Sequence, residues 1–275
     1  MLQRTIKIRS KGSTYHQKKE GCRTIEFHKE ANFSNLAERI GIPMDIIDEK
    51  YLLPTSIIDS GHKRVIEFAN NAIDGRDKSP LEIAVRLYYA VRDGIWYDPY
   101  YPFYRPEHYR ASNVLKSGRG YCVSKASLLC ALGRALGIPS RVGFAHVRNH
   151  LATKQLIEYM GSDLFAFHGF TEFFLEGKWV KATPAFNSEL CERHNVAPLE
   201  FNGREDSIFH EYNNENELYM EYVEYLGTYS DIPVDTIVAG WEKAYGKERI
   251  RRMIEEFERS WGKSPHRDFD KEEIL

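Results

Sequence analysis

The sequence predicts a fold of the α+β class, in which helices precede a set of antiparallel strands. Two observations indicate the helices: a capping sequence at residues 79–82 and an apolar helical face over residues 121–136. A third observation indicates the strands, because two alternating segments flank the turn dipeptide Glu176-Gly177. The chain has 275 residues, 42% of them hydrophobic, which suffices for one large domain with additions.

The first well-marked helix begins after Ser79. Ser79 as N-cap, Pro80 at the first helical position and Glu82 at the third form a capping box with a preset first turn. Farther along, residues 96–106 contain three prolines and six aromatic residues and cannot form a regular helix. These rings either pin a loop onto the core or form the wall of a substrate groove, and the two interpretations are compatible.

The second helix carries Cys122 in its first turn, directly after the turn at residues 118–121. The positive end of a helix dipole stabilises a thiolate, so Cys122 is a candidate nucleophile; the alternative is a small buried hydrophobe. We therefore expect iodoacetamide to modify Cys122 faster than Cys22, Cys130 and Cys191. The helix ends at Gly137-Ile138-Pro139. Cys130 lies about 12 Å from Cys122 along it and is predicted to be a core residue.

A strand at residues 141–147 and then a hairpin follow this helix. The alternating pattern and the two-residue turn predict hairpin arms at residues 164–175 and 178–183. In this register Glu172 faces Lys181 across the strands, as an opposite-charge pair. His168 then lies diagonal to Thr183 on the same face, close enough for their side chains to meet.

The remaining parts of the chain are predicted to pack on a core at residues 61–188. Residues 189–275 carry 21 acidic and 11 basic side chains and form a mostly helical extension. Its clearest helices are predicted over residues 220–226 and 237–257. The segment 1–60 is predicted to add short strands and a helical turn, at residues 5–9, 23–27 and 36–40.

Composition excludes several classes of function. A net charge of −2 and the lack of a dense Lys/Arg run argue against nucleic acid binding. The sequence shows neither a secretory signal nor a long apolar run, so we expect no membrane association and a cytoplasmic location. Four cysteines are too few for a disulfide framework. The pairs His146/His150 and Cys191/His194 do not complete a zinc site, so neither metal nor cofactor is predicted.

Three patterns occur in order along the chain. They are Gly-x-Gly-x-Cys at 118–122, Gly-Ile-Pro-x-Arg at 137–141, and His168 on a strand followed by Gly177-Lys178-Trp179-Val180. Together they resemble the transglutaminase-like superfamily over residues 65–187, especially its bacterial members described as cysteine proteases. The resemblance implies a papain-like fold, in which an antiparallel sheet packs on the Cys-bearing helix. It also implies that Cys122 is the nucleophile and His168 the base.

The third catalytic residue departs from the family pattern. The family usually has an Asp where this chain has Thr183, just before Pro184. Papain-like enzymes use a neutral Asn in this role, and a Thr hydroxyl can accept a hydrogen bond from an imidazole N–H. Candidates for the role are therefore Thr183, Asn187 and Asp206.

The resemblance implies an acyl-transfer enzyme that acts on peptide or glutamine-type amides, as a protease, an amidase or a transglutaminase. The backbone N–H of Cys122 would stabilise the oxyanion, and Tyr101, Tyr104 and Trp179 are candidate contacts for the oxyanion or the substrate. The alternative is a catalytically inactive scaffold of the same fold that binds peptides or proteins. The missing Asp favours this alternative, whereas the intact Cys and His favour the enzyme.

Overall fold

The computed structural model describes residues 47–74, 79–260 and 269–272. This part of the chain contains eight α-helices: α1 (Lys63–Ala72), α2 (Pro80–Gly94), α3 (Ala111–Ser117), α4 (Cys122–Ala135), α5 (Lys154–Met160), α6 (Ser188–Arg193), α7 (Val234–Tyr245) and α8 (Lys247–Ser260). Short 3-10 helices lie at Glu49–Tyr51, Pro106–His108 and Phe269–Lys271. None of the helices described has the length and apolar character needed to cross a membrane. The elements predicted at residues 5–9, 23–27 and 36–40 lie outside the described residues.

The strands form two sheets. Strands β1 (Trp96–Tyr97) and β2 (Arg119–Gly120) pair in parallel. The main sheet has the order β5-β4-β3-β6 and is antiparallel throughout: β3 (Ser140–Asn149), β4 (Leu164–Leu175), β5 (Lys178–Ala182) and β6 (Met220–Tyr229). The predicted α+β class with an antiparallel sheet is therefore confirmed.

Helix α4 lies at the centre of the molecule. It contacts α1, α2 and α3 as well as strands β3 and β4. Every residue from Val123 to Ala135 is buried, although the sequence indicated only one apolar face. Gly137 ends the helix with φ of +81°, and the Ile138 N–H donates to the Gly133 carbonyl at 2.8 Å. This termination matches the predicted C-terminal glycine and fixes where the chain enters β3.

Two local predictions are confirmed in detail. Ser79 and Glu82 form the predicted capping box at the start of α2. The hairpin has the predicted two-residue turn, and Glu172 lies opposite Lys181. The carboxylate of Glu172, however, pairs with Arg141 on β3, at 2.6 Å, because Arg141 lies opposite it on the other neighbouring strand. Lys181 pairs instead with Asp206, at 2.9 Å.

The helix predicted over residues 220–226 is wrong, because this segment is strand β6. It pairs with β3 along its length, with Tyr222 opposite Val147 and Met220 opposite Asn149. An uncovered β3 edge would leave backbone N–H and C=O groups without partners, and β6 satisfies them. Tertiary pairing therefore overrides local helical periodicity here. The helix predicted over 237–257 is confirmed by α7 and α8. The boundaries at residues 60 and 188 stay predictions.

Asn187 forms a structural clamp, and its catalytic role stays a prediction. Its side-chain oxygen accepts the Tyr97 N–H at 2.7 Å, and its amide donates to the carbonyls of Arg92, at 2.6 Å, and Ile95, at 3.0 Å. The buried Lys125 amino group donates to the same two carbonyls, at 2.9 and 2.7 Å. These bonds satisfy carbonyls at the end of α2 and attach β1 to the core.

We predict that Asn187→Ala destabilises the protein by about 2–4 kcal/mol, because it leaves buried backbone groups without partners. Urea unfolding followed by circular dichroism measures the change. Asn71→Ala is the matched control, since Asn71 is exposed on α1 and its loss should change stability by no more than about 0.5 kcal/mol. Equal effects of the two substitutions would contradict the clamp.

Candidate active site

Cys122 is the first residue of the central helix α4. The preceding residue, Tyr121, is the N-cap and makes no side-chain capping bond, so no capping side chain covers the first-turn N–H groups. The Cys122 sulfur instead faces the backbone N–H groups of Gly169, Val123 and Cys122 itself. Cys122 is partly exposed, whereas Cys130 and Cys191 are buried. The N-terminus of α4 therefore presents a thiol that is surrounded by hydrogen-bond donors.

The resting thiol is nevertheless neutral. Burial raises the pKa of Cys122 to about 11, and this effect outweighs the lowering by the three backbone N–H groups. Burial therefore acts against the thiolate that the helix terminus favours. The sequence shows the helix terminus, which favours the anion, but it does not show the apolar walls that disfavour it.

Strand β4 approaches the start of α4 unusually closely. A Cβ atom added to Gly169 would lie 2.9 Å from the Cα of Val123, which is closer than real Cβ contacts allow. Glycine is thus required for steric reasons, and the contact brings the Gly169 N–H to the Cys122 sulfur. The sequence contained a signal for this contact, namely a glycine directly after the candidate base His168.

His168 lies on β4 beside this contact and is buried. Together with Cys122 it lines a pocket of about 350 Å³. The imidazole centroid lies 4.7 Å from that of Phe209 and 6.4 Å from that of Tyr222. Its Nε2 atom is buried and has no hydrogen-bond partner among the described residues. Burial lowers the pKa of His168 to about 3, so the imidazole is neutral at physiological pH.

Thr183 occupies the position of the family's usual Asp. Its carbonyl accepts a bond from the Tyr88 hydroxyl at 3.1 Å, and its own hydroxyl is buried without a hydrogen-bond partner in the described part of the chain. The Thr183 side chain lies close enough to Tyr222 to affect its pKa. Burial raises the pKa of Tyr222, and the nearby Thr183 side chain partly opposes this rise. Tyr222 thus adjoins both Thr183 and His168, and it was missed because β6 was predicted as a helix.

The other two candidates for the third catalytic role have structural partners. Asn187 holds β1 and the end of α2, as described above. Asp206 accepts bonds from the Lys181 backbone N–H and the Lys181 ammonium, both at 2.9 Å. Both catalytic roles stay predictions, and both side chains are engaged in structural hydrogen bonds.

The predicted substrate contacts lie outside this pocket. Tyr101 bonds to Ser117 at 3.3 Å, and Tyr104 bonds to Glu258 on α8 at 2.8 Å. Trp179 packs against Arg141, whose guanidinium lies 4.0 Å from the ring centroid. None of the three lines the pocket of Cys122 and His168, and their roles in binding substrate stay predictions. Other aromatic side chains line the pocket: Tyr97, Tyr121, Phe165, Phe167, Trp241 and Tyr245.

Helix α7 supports the strand segment just before His168. The Tyr245 hydroxyl accepts the Ala166 N–H at 2.7 Å, and the Trp241 indole donates to the Ala166 carbonyl at 2.8 Å. The next residue, Phe167, has φ of +58°, a strained conformation that this clamp holds in place. The sequence contains one signal for this clamp, because Trp241 and Tyr245 lie four residues apart on one helix face. Such a pair is also typical of ordinary core packing.

We predict that Gly169→Ala destabilises the protein by about 1–3 kcal/mol, because the added Cβ must separate β4 from the backbone of α4. The free energy of unfolding is measured in urea. Gly94→Ala is the matched control, since a Cβ at Gly94 meets nothing within 4 Å. It should leave stability unchanged or raise it by up to about 1 kcal/mol. Similar losses for both variants would refute the close-approach argument.

The pKa of Cys122 predicts how its alkylation depends on pH. Since burial raises this pKa to about 11, the iodoacetamide rate should rise roughly tenfold for each pH unit between pH 7 and pH 9. Mass spectrometry of the Cys122 peptide measures the rate, with the buried Cys130 as an internal control that reacts more slowly. A rate that stays constant between pH 6 and pH 8 would reveal an ionised thiolate and contradict the raised pKa of Cys122.

Part of the chain is similar to known proteins. Residues 67–184 match the model of the Transglutaminase-like superfamily. No curated protein matches the chain. A matching solved structure is that of a "Putative Cysteine Protease" from Cytophaga hutchinsonii, with 16% identity, a TM-score of 0.44, and coverage of 72% of this chain and 52% of that one. This chain thus spans about half the length of that structure. The region similar to the transglutaminase-like superfamily, residues 67–184, includes both Cys122 and His168.

Proposed function

We propose that this protein is a Cys-His acyl-transfer enzyme that acts on peptide or protein amides. The observation that carries the proposal is the shared pocket of Cys122 and His168, at the uncapped N-terminus of α4. A thiol and an imidazole in one pocket supply a nucleophile and a proton carrier. Backbone N–H groups at a helix start supply donors for a developing oxyanion.

In the first step the Cys122 sulfur attacks the amide carbonyl carbon. The S–C bond forms as the thiol proton moves to His168, and the carbonyl π electrons move onto the oxygen. First-turn N–H groups of α4 stabilise this oxyanion. Tyr245 is suited to be a second donor, because it lines the pocket and its oxygen, while accepting the Ala166 N–H, still carries a hydrogen. It takes the place of Tyr101 and Tyr104 in that role.

In the second step the oxyanion collapses and the C–N bond breaks. His168 gives its proton to the leaving nitrogen, which departs as an amine or as ammonia and leaves a thioester on Cys122. Water then attacks the thioester to release an acid, or a second amine attacks it to form a new amide. His168 takes the proton of the attacking group, and Cys122 regains a proton as the acyl group leaves.

Two specific observations favour a second candidate, a catalytically inactive scaffold that binds peptides. Thr183 stands where the family has an Asp, and its hydroxyl has no partner among the described residues. Burial also leaves both Cys122 and His168 neutral, with a pKa of about 11 for the thiol and about 3 for the imidazole. A weakly basic imidazole is a poor acceptor for a thiol proton.

The test is a set of three assays on glutamine-containing peptides: ammonia release, incorporation of a labelled amine, and peptide cleavage. We expect the wild-type protein to show at least one of these activities and Cys122→Ala to lose it by at least about 10³-fold. His168→Ala should lose it as well, because the proton transfers then lack a carrier.

Cys130→Ala is the matched control, since Cys130 is a buried core thiol of the same helix. It should lower stability but retain the activity. If none of the three activities is detected, or if Cys122→Ala keeps the wild-type rate, the enzyme assignment fails and the binding scaffold is supported.

A further inference from the structure

A short segment from the end of the described chain packs beside the candidate active site. Phe269–Lys271 forms a 3-10 helix, and the Glu272 N–H donates to the Phe269 carbonyl at 3.3 Å. Residues three apart lie on the same face of a 3-10 helix. Phe269 and Glu272 can therefore contact the core together, while Lys271 is exposed.

The Phe269 ring forms one wall of an apolar pocket. Its centroid lies 5.8 Å from those of both Tyr97 and His194, and 6.4 Å from that of Tyr100. Only 8% of Phe269 is exposed, so the ring is buried like a core residue. Aromatic packing of this kind is favourable in itself and holds the segment on the surface.

The Glu272 carboxylate binds to two hydroxyl groups. One oxygen accepts a bond from the Tyr100 hydroxyl at 2.6 Å, and the other accepts a bond from Thr153 at 2.5 Å. Thr153 is fully buried, and Tyr100 is 8% exposed. Two buried hydroxyl donors, one for each carboxylate oxygen, form a carboxylate-binding site.

This two-part site adjoins the pocket of the thiol. Tyr97 and Phe165 line both the Phe269 pocket and the pocket that contains Cys122 and His168. The Tyr97 ring thus touches the docked segment on one side and borders the candidate nucleophile on the other. A peptide bound in this site would lie next to the thiol.

We propose that the surface beside Cys122 is a peptide-binding site for an aromatic side chain followed three residues later by a carboxylate. Phe269 and Glu272 of this same chain occupy it and so compete with peptide ligands. The aromatic ring packs against Tyr97 and His194. The Tyr100 and Thr153 hydroxyls bind the acid. That such peptides are substrates rests on the proposed acyl-transfer function, whereas their binding does not.

The experiment measures binding of a fluorescein-labelled peptide with the sequence of residues 266–275, by fluorescence anisotropy and without turnover. In the wild-type protein the tethered segment competes at an effective concentration of roughly a millimolar. We therefore expect the full-length double variant Phe269→Ala/Glu272→Gln to bind the peptide at least about tenfold more tightly than the wild type. Glu272→Gln alone retains the buried ring and should increase the peptide affinity by a smaller factor. This single variant tests the proposal if the double variant does not fold.

Tyr100→Phe and Tyr101→Phe, each added to the double variant, form a matched pair. Tyr100→Phe removes a hydroxyl that holds the acid and should weaken peptide binding several-fold, whereas the Tyr101 hydroxyl bonds to Ser117 and its loss should have no effect. Equal peptide affinity of the wild type and the variants, no binding to either, or equal effects of the two tyrosine changes would overturn the proposal. A protein without acyl-transfer activity that binds the peptide as expected would refute only the proposed function.

Discussion

The close approach of strand β4 to the first turn of α4 is the contact on which the candidate site depends. A side chain at Gly169 would collide with the backbone at Val123, so the strand can reach the helix only at a glycine. This contact brings a strand N–H to the Cys122 sulfur and places the neighbouring His168 in the same pocket. The central position of α4, packed on three helices and two strands, holds the helix in place against this contact.

Burial dominates the electrostatics of the pocket. It raises the pKa of the Cys122 thiol and lowers that of the His168 imidazole, and each shift disfavours the charged form of its group. With Thr183 in place of an acid, that side chain carries no negative charge to oppose the lowering of the His168 pKa. Water entering the pocket would reduce both shifts together and would favour proton transfer from sulfur to nitrogen. The same pocket is bordered by Tyr97, against which Phe269 packs.

Residues beyond the matched family region complete the site. Strand β6 places Tyr222 against His168, and α7 holds the strained segment at Phe167 through Trp241 and Tyr245. The sequence offered little to predict these contacts. An aromatic pair on a helix is more often core packing, and the pattern of β6 fits a helix as well as a strand. Their roles arise from partners that are distant in the chain.

Elements with local signals could be predicted from the amino-acid sequence. The capping box of α2, the glycine that ends α4 and the register of the β4–β5 hairpin depend on neighbouring residues, and all three agree with the structure. The ionisation of Cys122, the clamp at Asn187 and the strand β6 depend instead on contacts between distant parts of the chain. Desolvation and long-range backbone pairing depend on the groups that surround a residue in space. Many of these groups are distant in the chain, so a local stretch of sequence does not reveal them.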